Sequence, residues 1–271
     1  MIKIDKDKFE KIVLAATSST AEVFDMMADR FDVSKAKLKK SVFGSVIDIE
    51  NLPDGINADA ERFICMDAFY DAIPMLDLVL TPTGFGIINN TNLSPASRDR
   101  VESLRKLIKE CADDAMDNIL NGLLGNTAWS GSGYAKLLVS SLYYTSTQLK
   151  DYAGKQDAHR SDLLSLRPVI YEAEELIVRQ ISAIMFHHLL EQIRQAALSD
   201  YETLLVYSLN RAIGFHINNQ KDGFKRELDN AVNLMEGDLD KFTVYRDSDA
   251  YQVKHFEYYK NEKDDSCYFF G

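Results

Sequence analysis

Apolar positions recur at three- and four-residue steps over most of the chain, the spacing of helix faces turned toward a core. Val101, Leu104, Ile108, Cys111, Ala115 and Ile119 make one such stripe, with Leu107, Ala112, Met116 and Leu120 beside it. This pattern predicts a long helix starting near Ser94, whose hydroxyl can cap it, and Pro95, which suits the first helical position. Gly122 and Gly125 are its expected stops. Upstream, Phe63, Ile64, Met66, Ala68, Phe69, Ala72 and Ile73 are apolar on more than one side and predict a buried helix that Pro74 ends or kinks.

Between these helices the period shortens. Leu76, Leu78 and Leu80 alternate with Asp77 and Val79, Thr81-Pro82-Thr83-Gly84 supplies turn residues, and Phe85-Gly86-Ile87-Ile88 can return as a second strand. A small β-hairpin at about 76–88 is expected, with a helix running on to Leu80 as the alternative.

The flanks are read the same way. Residues 8–31 predict helix with a break near Thr17, where Ser19 and Glu22 have capping-box spacing. Val42 to Ile49 is a short β-prone run closed by Asn51-Leu52-Pro53-Asp54-Gly55. Gly125 to Asp162 lacks strong periodicity: Trp129-Ser130-Gly131-Ser132-Gly133-Tyr134 is loop-like, while Tyr143, Tyr144 and Tyr152 suggest an ordered crossing. Pro168 opens a predicted helix from Val169 to about Ala197. Ser199 with Glu202 starts another through about Ile217, and a third follows from about Lys221, carrying Leu239 and Phe242 at its end. From Thr243 to Gly271 aromatic and polar residues alternate loosely, as in an extended arm.

The expected fold is therefore mainly α, a helical bundle. It has an N-terminal half at 1–124, an irregular connector at 125–162, a C-terminal half at 163–242 and an extended aromatic tail at 243–271. Each half runs long helix, buried helix, amphipathic helix. That order suggests two pseudo-repeated three-helix units with Ala72-Ile73 opposite Ala212-Ile213, against the plain alternative that helical bundles look alike.

Composition narrows the function. With 46% hydrophobic and 27% charged residues the chain is ordinary globular material, and no run reaches the roughly 18 apolar residues of a membrane span. Its start, MIKIDKDKFEKIV, lacks the apolar core of a secretory signal, so cytoplasmic synthesis is expected. A net charge of -11 argues against gripping nucleic acid by its phosphates. Lys35, Lys37, Lys39 and Lys40 have no interleaved aromatic or arginine partners and read as a solvated face.

Candidate chemistry is sparse. Cys65, Cys111 and Cys267 form no CxxC motif, and the first two sit on apolar stripes as small hydrophobes. Of the histidines at 159, 187, 188, 216 and 255, the adjacent pair points about 100 degrees apart on a helix, which does not suit a shared metal. Thr83-Gly84-Phe85-Gly86 lacks the ending of a phosphate loop, and Ser130-Gly131-Ser132-Gly133 misses the nucleophile elbow by one position. No catalytic, cofactor or metal residues are assigned, and the expectation is a protein that is not an enzyme.

The stretches FYDAIPMLDLVLTPTGFGIINNTNLSPASRDRVESLRKLIK and LRPVIYEAEELIVRQI, with the ending NEKDDSCYFF, resemble an uncharacterised family encoded by tailed bacteriophages and prophages of gut bacteria. The most specific piece is LDLVLTPTGFGI followed by SPASRDRVESL. Members look like distant relatives of phage head–tail connector (adaptor) proteins, which are mainly helical and form rings beneath the portal. The resemblance implies a virion structural protein in a cyclic homo-oligomer. Its partners would be the portal and other head–tail junction proteins, with DNA passing through a channel without sequence-specific contact. The alternatives are another virion or assembly component, a monomeric helical binding protein, and an enzyme with a dispersed site. Leu78, Leu80, Thr83, Phe85, Ile87, Trp129, Tyr134, Tyr268, Phe269 and Phe270 are the residues expected at interfaces.

Overall fold

The computed structural model describes residues 2–14, 22–76, 78–81, 84–87 and 97–256. It is mainly helical. The N-terminal part contains α1 (Lys6–Ile12), α2 (Glu22–Leu38), α3 (Asp54–Leu76) and α4 (Arg98–Leu123). α3 buries Phe63, Ile64, Cys65, Met66, Ala68 and Phe69 in succession, so it is surrounded rather than amphipathic. Pro74 lies inside it, three residues from its end, where only one interior hydrogen bond is lost and the helix runs on to Leu76.

α4 packs antiparallel on α3. Asn118 donates to Asp59 at 3.2 Å, Gly122 faces Ile56, and the Arg105 guanidinium sits 4.6 Å over the Tyr70 ring. Between them β1 (Leu78–Thr81) and β2 (Gly84–Ile87) pair antiparallel, with Leu78 opposite Ile87 and Leu80 opposite Phe85. α2 lies along α3, and Phe9, Phe24, Phe31 and Phe69 form an aromatic cluster where α1, α2 and α3 meet.

Several local expectations are overturned. Val42 to Ile49 is not extended: α2 continues to Leu38 and passes into a π-helical turn over Lys39–Phe43, and Ile49–Asn51 is a 3-10 turn. Val42 and Phe43 are fully buried there, and the Val42 carbonyl accepts from Trp129 Nε1 at 3.0 Å, so their apolar character serves the core rather than a ladder. α4 starts at Arg98 with Ser97 as its cap residue; Ser94 and Pro95 lie outside the described residues, as do Thr17 and Ser19.

The expected irregular connector is largely helical, with α5 (Thr127–Ser130), α6 (Gly133–Leu138) and α7 (Ser146–Ala153). Asn126 caps α5, Ser132 caps α6, and a Thr145–Gln148 capping box starts α7. These short helices have too few turns to show a stripe. α8 (Arg160–Ile181) runs straight through Pro168, whose lost bond falls at the exposed Leu164, where water can take the freed carbonyl. The helix expected to reach Ala197 instead breaks at Ser182, which has φ 77 and whose hydroxyl caps α9 (Ala183–Gln195).

α10 (Asp200–Ile217) begins at the Ser199–Glu202 capping box, and α11 (Lys221–Gly237) returns against it, pairing Arg211 with Glu227 at 3.1 Å. α11 stops at Gly237, before Leu239 and Phe242. The expected extended arm folds as α12 (Thr243–Arg246) and α13 (Asp249–Lys254); Tyr245 is fully buried and donates to Glu236 at 3.1 Å. Residues 257–271 lie outside the described residues. One continuous hydrophobic cluster holds buried side chains from Ile2 to Tyr245.

The crossing from Val139 to Ser146 is buried yet mostly non-helical, so its backbone must find partners elsewhere. Arg194 donates to the Val139 carbonyl at 3.1 Å, and Leu142 N donates to Glu174 at 2.8 Å. Tyr143 Oη donates to the Asn210 carbonyl at 2.7 Å. Ser146 N donates to Asp117 Oδ2 at 2.7 Å, while Arg160 donates to Asp117 Oδ1 at 2.6 Å. α10 approaches this region so closely that a Cβ on Gly214 would lie 2.1 Å from the Tyr152 carbonyl oxygen.

Two outcomes follow for stability. Gly214→Ala forces backbone apart and should destabilise by about 1–3 kcal/mol or more in urea unfolding. Asp117→Ala strands the buried Arg160 cation and should lose about 3–5 kcal/mol, with Asp117→Ala/Arg160→Met less destabilised than Asp117→Ala alone.

Candidate functional site

The angle between α8 and α9 encloses a cleft of about 570 Å³, bordered by Tyr171, Glu174, Val178, Ala183, Phe186 and His187, with Glu175 and Arg179 also at its edge. The break at Ser182 creates it: a straight helix through this point would present one unbroken side. Glu174 belongs to the buried face of α8, in line with Ile170, Ala173, Ile177 and Ile181, and is only 6% exposed. A carboxylate in that row is costly to bury unless hydrogen-bonded. Ser141 Oγ and Leu142 N both donate to its Oε1 at 2.8 Å.

The other oxygen, Oε2, has no hydrogen-bond partner among the described residues, and it is not one of the side-chain atoms that are both sealed and unpartnered there, namely Arg105 Nε, Asp113 Oδ2, Arg167 Nε and Asn210 Oδ1. Oε2 therefore keeps some exposure, and Glu174 is one of the residues that line the cleft. Burial raises the Glu174 carboxyl from its ordinary value to about 7, against the opposing pull of the Ser141 and Leu142 hydrogen bonds. The group thus changes charge near neutrality, which distinguishes it from the chain's surface carboxylates.

A second cleft, of about 380 Å³, lies along the crossing and is lined by Leu142, Tyr144, Gln148, Tyr152, Val206 and Asn210 among others. Burial raises both the Tyr144 and the Tyr152 phenol, against the opposing influence of the Gln148 and Asn210 side chains beside them. It offers less free chemistry than the Glu174 cleft.

Several other titratable groups are tied in pairs. His159 lies 3.0 Å from Asp114, His188 lies 2.6 Å from Glu202, and Asp67 holds both Ser34 Oγ and Lys37 Nζ. Burial pushes the Cys65 thiol up to about 12, which suppresses the reactive thiolate. Among the described residues no group of three or more histidines, cysteines or acids could hold a metal ion, and no helix is long and apolar enough to cross a membrane.

Of the residues expected at interfaces, Leu78, Leu80, Phe85 and Ile87 are brought together as opposed pairs in the β1–β2 ribbon. Thr83, Tyr268, Phe269 and Phe270 lie outside the described residues. Trp129 is corrected outright: it is fully buried and spends its N–H on Val42, so it has no surface to offer. Tyr134 is half-buried, and its ring occupies the space beside Gly44, which has φ 59. Glu174 was passed over in the sequence, although a signal was there: an acid at the step between Ile170 and Ile177, where the stripe demands an apolar residue.

A family described as "Family of unknown function (DUF6712)" matches residues 29–137. The match runs from within α2 to within α6 and ends before α8 and α9, which form the cleft. No curated protein and no solved structure matches the chain.

The raised Glu174 value has a definite sign. The folded state holds this proton more tightly than the unfolded chain, so the contribution to stability is fullest below about pH 4.5 and is lost as pH rises to about 7. Glu174→Gln keeps an acceptor for Ser141 and Leu142 without the charge. In urea unfolding it should match the parent near about pH 4.5 and exceed it by up to about 3 kcal/mol near about pH 8.

Proposed function

We propose that the chain is a structural subunit of a tailed-phage particle, a head–tail connector that assembles as a cyclic homo-oligomer below the portal. The observation that carries this reading is the β1–β2 ribbon. Its strands pair with each other, and among the described residues neither makes a substantial contact with a helix, while α3 and α4, which precede and follow the ribbon in the chain, pack closely on one another. A two-stranded ribbon leaves an outer edge of unpaired N–H and C=O groups on each strand, a template for strand addition by a neighbour. When the edge of one copy meets a different surface of the next, the contact is head-to-tail and closes into a ring if the rotation allows.

Two further features support the reading. The segment most specific in the family resemblance, LDLVLTPTGFGI, includes this ribbon. The net charge of -11 suits a channel through which DNA slides without being held. In this reading the protein resides in the virion, and the two helical halves descend from a duplication that superposition of α2–α4 on α8–α11 would test.

One observation favours a second reading, a monomeric helical binding protein: the Glu174 cleft offers a concave, mainly apolar surface edged by a few polar side chains. Mass in solution separates the two. Light scattering or native mass spectrometry should show a closed multiple of the chain, or a complex formed with a portal protein. Replacing residues 77–88 by a short Gly-Ser turn should leave the helical signal intact and abolish assembly. A chain that stays monomeric and ignores portal protein overturns the connector reading.

A further inference from the structure

Glu174 lines the α8–α9 cleft with one carboxylate oxygen uncommitted, and this stands apart from the assembly reading. Glu174 Oε1 accepts from both Ser141 and Leu142, while Oε2 has no hydrogen-bond partner among the described residues and is not sealed. Around it the walls are Val178, Ala183 and the rings of Tyr171 and Phe186. Such walls exclude water from a hydrocarbon chain, and the ring faces attract a cation. Glu175 adds a second acid at the edge, where Arg179 and the His187 imidazole also lie, so the ionised Glu174 tips the balance of the acids and the one arginine toward negative charge.

We propose that this cleft is a binding site for a primary ammonium carried on a short apolar chain, with Glu174 Oε2 as the counter-charge. A buried carboxylate and an ammonium form a charge-assisted hydrogen bond, stronger than a neutral one. The apolar part of the ligand then replaces solvent against Val178 and Phe186. Two sources share this chemistry, a free alkylamine and the end of a lysine side chain from a second copy of the chain.

The test compares n-butylammonium chloride with n-butanol, which has the same length and no charge, at about pH 8.5, where Glu174 is ionised. Binding is followed by calorimetry and by chemical-shift changes on the full chain. Butylammonium should bind at least about tenfold more tightly than butanol. Glu174→Gln, whose fold is checked by its helical signal and urea midpoint, should lose that preference, and Glu175→Gln should keep most of it. Equal binding of the two probes, an unchanged preference in Glu174→Gln, or its abolition in Glu175→Gln alone would overturn the proposal. Mass is measured in the same samples. A fall on adding butylammonium identifies a lysine of a second copy as the occupant, and an unchanged mass identifies a free amine. Because the probe preference is read equally well on a monomer, failure of the connector reading and failure of the ammonium site are separate outcomes.

Discussion

The structure depends on satisfying the backbone of a buried crossing. Residues 139–146 run through the interior without a helix or sheet to pair their N–H and C=O groups. Leaving such groups unpaired would cost about 1–3 kcal/mol each. The partners come from α4, α8 and α9: Asp117, Arg160 and Glu174, and Arg194, while the Tyr143 hydroxyl ties the crossing to the Asn210 carbonyl of α10. Charged side chains buried for this purpose in turn dictate where helices sit. Asp117 is held by Arg160, and Glu174 is held by Ser141, so the crossing and the helices fix one another. The single hydrophobic cluster gives cohesion without direction; these few polar ties supply the direction.

That division of labour explains what was legible beforehand. The Ser199–Glu202 capping box, the surrounded apolar helix at Phe63–Ile73 and the Ile108–Ile119 stripe are local signals, and each appears where expected. The helices at 127–153 were not legible because each is too short to show a stripe, and the crossing between α6 and α7 is held by Asp117 and Glu174, about 30 residues from the Ser146 and Ser141 they bond. The β-prone character of Val42 and Phe43 misled for a related reason: their partner is Trp129, 87 residues on from Val42, and β-branched or aromatic residues suit a buried helical turn once such a partner exists. Pro168 does not open its helix as expected but lies within it, since a proline in an exposed turn is tolerated, while Ser182, with positive φ, ends that helix and caps the next.

The cleft was the least legible part. It arises from the bend at Ser182, which no periodicity marks, and from Glu174, which looks like an ordinary helix acid unless its step in the Ile170–Ile177 row is noticed. One oxygen of its carboxylate holds the crossing, and the other has no hydrogen-bond partner among the described residues. A residue so placed links the integrity of the interior to whatever fills the cleft.

Trp129 closes the account in a different way. It is the chain's single tryptophan, wholly enclosed, with its indole N–H committed to the Val42 carbonyl and so bridging the π-helical turn after α2 to the short helix after α4. An indole in such dry surroundings emits at shorter wavelength than one in water. Its fluorescence therefore reports, without any label, whether that junction has come together, and does so independently of the cleft and the ribbon.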